Sequence, residues 1–205
     1  MDALYCHPLE FTSSPLLPTI MQATLASLAL ELENPLTAVL HFLRDFLGYS
    51  VGHIPSAMEA EVPIEMQTAI RREISNNGST LAGLIICGMI FTFPRGCVID
   101  GAGALMTLIE LDPKTSVGWI ANSLTLLPPG NLSVEESTRF IGQLAGYSPS
   151  RPQKLIISAA QTGDYKRIQR QIQDFVAIYR RRVISPRSKA EGKGFIEGMT
   201  FRFHR

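Results

Sequence analysis

Residues 34–49, NPLTAVLHFLRDFLGY, decide the fold class of this chain. The stretch opens on Asn34, a residue type that caps helices, and on Pro35, which suits the first helical position because it lacks an N–H. Its apolar side chains recur at steps of three and four residues, at Leu36, Val39, Leu40, Leu43, Phe46 and Leu47. A helix with so wide an apolar stripe must pack between neighbours. The stretch therefore predicts one layer of a stack of helices.

The rest of the chain repeats this pattern. Helices are predicted from Ser14-Pro15 or Leu17-Pro18 to about residue 33, from 63 to 93 with a bend or short break at Asn76-Asn77-Gly78, from 98 to 111, from 113 to 127, behind a capping box at 133–136, from 152 to 161, and from 164 to 183. The first two helices have almost no loop between them, which predicts an antiparallel pair. Short turns within pairs, a longer link at 50–62 and helices buried on both sides predict an all-α chain, an α-solenoid of antiparallel, HEAT-like helix pairs.

Two regions are predicted from the distribution of this periodicity. Residues 1–184 form the solenoid segment, and residues 185–205, which lack any period, form a disordered basic tail. Residues 1–11 begin without a convincing helix cap, as a cut end would. The sequence thus predicts a C-terminal fragment of a longer array.

Composition narrows the class of partner. The chain has 205 residues, 45% of them hydrophobic, and a net charge of +1, so no general basic field attracts nucleic acid. Its three cysteines form no CxxC pair, which favours a reducing compartment, the cytosol or the nucleus. The apolar run at 81–93 is shorter than the roughly 20 residues of a membrane span. It predicts a buried helix and no membrane partner.

Catalytic and metal-binding motifs do not occur in the sequence. The four histidines are dispersed and build no HExxH or Cys/His ligand set, and no GxSxG elbow, GxGxxG turn or phosphate loop is present. Asp45 and Glu110 could serve as acid and base only if they met, and nothing in their spacing brings them together. The chain is predicted not to be an enzyme and to need no cofactor or metal.

Charged helix faces remain as candidate protein-binding sites. The candidates are Arg44, Asp45, Arg71, Arg72, Arg139, Lys166, Arg167 and Arg170. Guanidinium groups pair bidentately with phosphate and carboxylate, although a solvated helix face is the simpler interpretation of each residue alone. On the last helix, Asp174 and Arg180 are predicted to face outward with the basic residues. Trp119, the single tryptophan, is expected in the core.

Three stretches resemble one family. AVLHFLRDFL at 38–47, IELDPKTSVGWIANSLTLLP at 109–128 and RQIQDFVAIYRRR at 170–182 are similar, in this order, to the C-terminal HEAT repeats of karyopherin-β (importin-β) nuclear transport receptors, and most similar to the transportin-SR and fungal mRNA-transport-regulator branch. The resemblance covers about residues 14–182. It implies a solenoid that carries Arg/Ser-rich mRNA-binding or splicing proteins, that interacts with Ran GTPase and nucleoporins in the full-length receptor, and that shuttles between cytoplasm and nucleus.

Two features depart from the family pattern. The helix behind the capping box at 133–136 is extra relative to the animal proteins, and the tail continues beyond the usual end, so the resemblance implies no role for residues 185–205. The family's arginine-rich cargo helix lies upstream of the matched region, so no cargo role is transferred to Arg44 or Arg71. Two other classes remain open from the sequence: a helical scaffold or protein-interaction module without a transport role, and a small membrane protein built on 81–93.

Overall fold

The described residues are all helix, turn or connection. The computed structural model describes residue 4 and residues 6–52, 62–127, 132–146, 163–182 and 194. The helices in these ranges are α1 (Pro8–Ser13), α2 (Leu17–Ser27), α3 (Glu33–Ser50), α4 (Ile64–Phe91), α5 (Val98–Leu111), α6 (Pro113–Thr125), α7 (Val134–Ala145) and α8 (Gly163–Arg182), with a 3₁₀ helix at Arg95–Cys97 before α5. No strand occurs within them. The predicted all-α class is confirmed.

These helices pack in two rows. In the first row α3 lies against α5, and α5 lies against α8; in the second, α4 lies between α2 and α6, and α6 packs on α7. The rows also contact each other, chiefly through α4 and α5. In α5 every residue from Gly101 to Ile109 is buried. The core is therefore centred on α5 and on the second half of α4, where residues 81–91 are all buried, as expected for helical segments with almost no polar face.

The first predicted helix pair differs from the observed packing. α2 ends at Ser27, well before residue 33, and a five-residue connection leads to α3. Leu28 in this connection is buried, whereas Leu32 is 68% exposed. The apolar spacing of the sequence extends beyond Ser27 and therefore does not indicate where the helix ends. The principal neighbour of α3 is α5, not α2. α3 also begins at Glu33 with no side-chain cap, so the predicted cap at Asn34 is wrong.

α4 runs without interruption through Asn76-Asn77-Gly78, where a bend or break was predicted. Neighbouring helices explain these residues. The Asn77 side chain donates to the Glu73 carbonyl (3.0 Å) and accepts from the Gln22 amide of α2 (3.1 Å). Gly78 lies under the Trp119 ring, and a Cβ added there would be 2.3 Å from two ring carbons. The polar and small residues are thus contact points inside the stack.

Several other predicted helix caps and helix contacts lie within the described residues. The Asp112 carboxylate accepts from the Thr115 N–H (3.1 Å) at the start of α6, and the capping box of Ser133 and Glu136 is complete at the start of α7. A Cβ at Gly101 would lie 2.9 Å from Met89 Cγ, which confirms the close approach of α5 to α4. The nearest side-chain atom to Gly103 belongs to α8 instead. Trp119 packs partly buried against the core.

Some predictions fall outside the described residues. They are most of the link at 50–62, the helix at 152–161, and the tail from 185 apart from residue 194. Within the described part, α4 is long and apolar enough to cross a membrane by length and composition. Its most apolar window is 78% buried among the other helices, as in a core helix.

Candidate protein-binding surfaces

Arg44 and Asp45 lie on α3 where it faces α5 and α8. The Arg44 Nε donates to Asp45 Oδ1 at 2.9 Å, and the Asp45 side chain is only 8% exposed, against 37% for Arg44. Burial alone lowers the pKa of Arg44, but the hydrogen bond and charge of Asp45 outweigh it and leave this pKa above its ordinary value. A partner could therefore reach only the exposed part of the arginine.

Further polar contacts tie the same three helices together. His41 Nε2 is 3.0 Å from Asp100 Oδ1, which joins α3 to α5. The Tyr165 hydroxyl donates to the Gly103 carbonyl (3.4 Å), which joins α8 to α5. Burial raises the pKa of Tyr165 to about 12, so this hydroxyl keeps its proton and remains a donor at neutral pH. The Arg44–Asp45 pair belongs to a packing interface between helices.

Arg71 and Arg72 lie on α4. Arg71 Nη2 donates to the carbonyl of Ser50 (3.0 Å), the last residue of α3, and so satisfies an otherwise open helix end. Arg72 is 69% exposed, and its Nε lies 4.0 Å from the carboxylate of the buried Glu73. Both arginines are exposed, but the Arg71 guanidinium already donates to a carbonyl of the stack.

The remaining predicted residues are exposed. Lys166, Arg167 and Arg170 share the outer face of α8, where Arg167 Nε lies 3.4 Å from Asp164 Oδ1. Arg139 is exposed on α7. The structure thus gathers the three α8 residues on one face, whereas the pair on α4 belongs to the other row of helices.

Arg180 does not face outward as predicted. It is half-buried, and its Nη2 donates to the carbonyl of Phe93 (2.8 Å) just beyond the end of α4. With Arg95 and Arg181 it lines a groove of about 710 Å³ between α4, α5 and α8. The only sequence signal for these residues is the run Arg180-Arg181-Arg182, and it does not show that Arg95 joins them.

Arg182 joins α7 to α8 through a bidentate ion pair. Its two terminal nitrogens donate to the two carboxylate oxygens of Glu136 at 2.7 and 2.6 Å. The rings of Phe140 on α7 and Phe175 on α8 also stack, with centroids 4.0 Å apart. The hydrogen bonds from Arg182, followed by the one from the Ser133 N–H, lower the pKa of Glu136 from 4.5 to about 2.

This pKa shift predicts a pH dependence for the contact between α7 and α8. Because the pKa of Glu136 is lower in the folded chain than in the unfolded one, its stabilisation is present above about pH 4.5 and is lost as the pH falls towards 2. We expect Glu136→Gln to lower the urea midpoint at pH 7, and the difference from wild type to shrink steadily below pH 4.5. The exposed Glu65→Gln on α4 is the control and should show little difference at any pH. A constant Glu136→Gln difference from pH 7 to pH 3 would exclude this ion pair as its source.

Two known proteins are similar to this chain over most of its length. No family model matches the chain. An uncharacterized protein of Schizosaccharomyces pombe is 31% identical over 193 residues, which are 92% of this chain and 19% of that protein. Transportin MOS14 of Arabidopsis thaliana is 24% identical over 174 residues, which are 84% of this chain and 17% of that protein. The chain is distantly similar to a transportin.

The chain spans about a fifth of the length of these relatives. Within it, the described residues contain no group of three or more His, Cys, Asp or Glu side chains that could hold a metal ion. In the described ranges, the candidate binding surfaces are exposed basic side chains on packed helices and an arginine-lined groove. Such surfaces are suited to contacts with other proteins.

Proposed function

We propose that this chain is the C-terminal part of a nuclear import receptor of the karyopherin-β type and that it binds protein cargo. The observation that carries the proposal is the similarity to Transportin MOS14, which extends over 84% of the chain. A match of that extent spans most of the chain and does not rest on one short motif. The family resemblance of residues 38–47, 109–128 and 170–182 points the same way.

The packing of the helices supports a solenoid. α3, α5 and α8 follow one another in one row, and α2, α4, α6 and α7 in the other, so each of these helices packs on the previous or next member of its row. In a solenoid each repeat contacts only its neighbours, and stacked repeats present a long surface to partners. The proposed α-solenoid of HEAT-like pairs accounts for helices as apolar as α4 and α5, because each is covered on both sides.

The cargo of the proposed receptor is Arg/Ser-rich mRNA-binding or splicing proteins. The full-length protein is proposed to bind GTP-loaded Ran and nucleoporins and to shuttle between cytoplasm and nucleus. It needs no cofactor, catalyses no reaction, and contacts neither nucleic acid nor membrane directly. On this chain Lys166, Arg167 and Arg170 are the most accessible group of the proposed contact residues.

A cell-based import assay tests this function. In cells of the source organism depleted of the protein that contains this chain, we expect a fluorescent Arg/Ser-rich reporter to shift from the nucleus to the cytoplasm. A reporter with a different nuclear signal should stay nuclear and serves as control. Re-expression should restore import. Unchanged import of both reporters would instead favour a helical scaffold without a transport role.

A further inference from the structure

The arginine-lined groove is an open space between packed helices that the other helices of the described part do not fill. It lies where the end of α4 and the start of α5 meet the C-terminal half of α8, and it has a volume of about 710 Å³. Its apolar lining consists of Ile90, Phe91, Val98, Ile99, Val176 and Ala177. Ile99 is 55% exposed, so part of this apolar lining faces solvent. The volume lies within the range of binding pockets and accommodates a few side chains.

Positive charge dominates the polar part of the lining. The lining contains three arginines, Arg95, Arg180 and Arg181, and one acidic residue, Asp174. Burial, followed by the charge of Arg95, lowers the pKa of Arg180, which means that the two guanidinium groups repel each other. The chain as a whole carries only +1, so this concentration of arginine is local. A group that brings negative charge would remove the repulsion.

Arg180 also has unused hydrogen-bonding capacity. One terminal nitrogen, Nη2, donates to the Phe93 carbonyl, whereas Nη1 is buried and has no partner among the described residues. A buried donor without an acceptor is costly, and donors of this kind mark places where a ligand supplies the missing group. An acceptor beside Arg180 and Arg95 would satisfy both the charge and the donor.

We propose that this groove binds an acidic linear segment of a partner protein, in which carboxylates flank one bulky apolar side chain. One carboxylate lies between Arg95 and Arg180 and accepts from Arg180 Nη1, and a second carboxylate pairs with the exposed Arg181. The apolar side chain packs on Ile99 and Ala177. Arginine is well suited to this role because its fork matches a carboxylate bidentately. The proposal goes beyond the import function, since an acidic segment is the chemical opposite of the basic part of an Arg/Ser-rich cargo.

The lining favours a peptide over a nucleic acid strand. Sequence-tolerant binding of single strands uses exposed aromatic rings on which bases stack, together with a continuous basic track. The aromatic ring in this lining, Phe91, is only 7% exposed, and Asp174 places a negative charge on the wall that a phosphate backbone would have to pass. Aliphatic walls with a few charged side chains are typical of peptide-binding sites.

Fluorescence anisotropy with the full chain tests the proposal. The probe is a labelled peptide with two glutamates on each side of one phenylalanine. Its matched controls replace phenylalanine by serine or the glutamates by lysine. We expect binding of the first peptide, at least about tenfold weaker binding of the serine peptide, and none of the lysine peptide. Equal binding of the phenylalanine and serine peptides, or no binding of either, would overturn the proposal.

Charge reversal locates the site on the protein. We expect the double variant Arg95→Glu, Arg181→Glu to lower the affinity for the phenylalanine peptide by at least about tenfold, because repulsion replaces the ion pairs. The control, Lys114→Glu, reverses the charge of an exposed lysine on α6 and should leave affinity nearly unchanged, whereas the single variant Arg181→Glu makes the same change in net charge inside the groove. Ile99→Ser tests the apolar contact without a change of charge and should weaken binding of the phenylalanine peptide more than binding of the serine peptide. Equal losses of affinity in Arg181→Glu and Lys114→Glu, or displacement of the bound peptide by a poly-uridine oligonucleotide, would refute a specific acidic-peptide groove.

Discussion

Gly78→Ala is expected to destabilise the chain by about 1–3 kcal/mol, which is the usual cost of overpacking a core. The new Cβ would lie 2.3 Å from two carbons of the Trp119 ring, far inside the normal carbon–carbon contact distance. Helix propensity alone would favour alanine over glycine in the middle of α4 by about 1 kcal/mol. The tertiary contact therefore reverses the sign that the local sequence suggests.

Urea unfolding followed by circular dichroism measures this effect. Gly118→Ala is the matched control, because Gly118 is the residue before Trp119 on α6 and a Cβ there would meet nothing within 4 Å. That control should gain about 0.4–1 kcal/mol. In a Trp119→Phe background, the smaller ring should reduce the penalty of Gly78→Ala. A stabilising Gly78→Ala in the wild-type background would contradict the packing of α4 against α6.

Leu105→Ala is expected to be at least as damaging. Leu105 is 0% exposed in the middle of α5, the helix that contacts both rows. Removing a fully buried leucine side chain costs about 2–5 kcal/mol, because apolar contacts are lost and the rigid surroundings leave a cavity. The expected result is a clear shift of the urea midpoint at an unchanged slope.

An exposed leucine provides the control for this prediction. Leu126 is 55% exposed at the end of α6, so Leu126→Ala should change the stability by no more than about 0.5 kcal/mol. If the two substitutions had equal effects, α5 could not be the buried centre of the helix stack.

The helices were predictable because their apolar spacing and caps act locally. Asp112 and Ser133 cap where their sequence context indicated, and the amphipathic pattern found α8. The predicted break in α4 failed for a tertiary reason: Asn77 and Gly78 are unfavourable inside an isolated helix, but here they contact α2 and α6. Intrinsic propensity is a weak guide where neighbouring helices supply the partners.

The candidate surfaces were predictable only in part. Exposure of Lys166, Arg167 and Arg170 followed from helical periodicity. The burial of Asp45 and the inward turn of Arg180 depend on which helix covers each face, and α3 and α8 have their closest neighbours far away in sequence. The groove is built from two stretches, 90–99 and 173–181, that are far apart in the chain, so no single stretch of sequence could reveal it.

The central claim, that this chain belongs to an import receptor, is tested most directly by a pull-down of the native protein that contains it. We predict that the immobilised protein retains an Arg/Ser-rich protein and releases it when GTP-loaded Ran is added, whereas GDP-loaded Ran leaves it bound. Failure to retain the Arg/Ser-rich protein, or equal retention with GTP-loaded and GDP-loaded Ran, would contradict the claim.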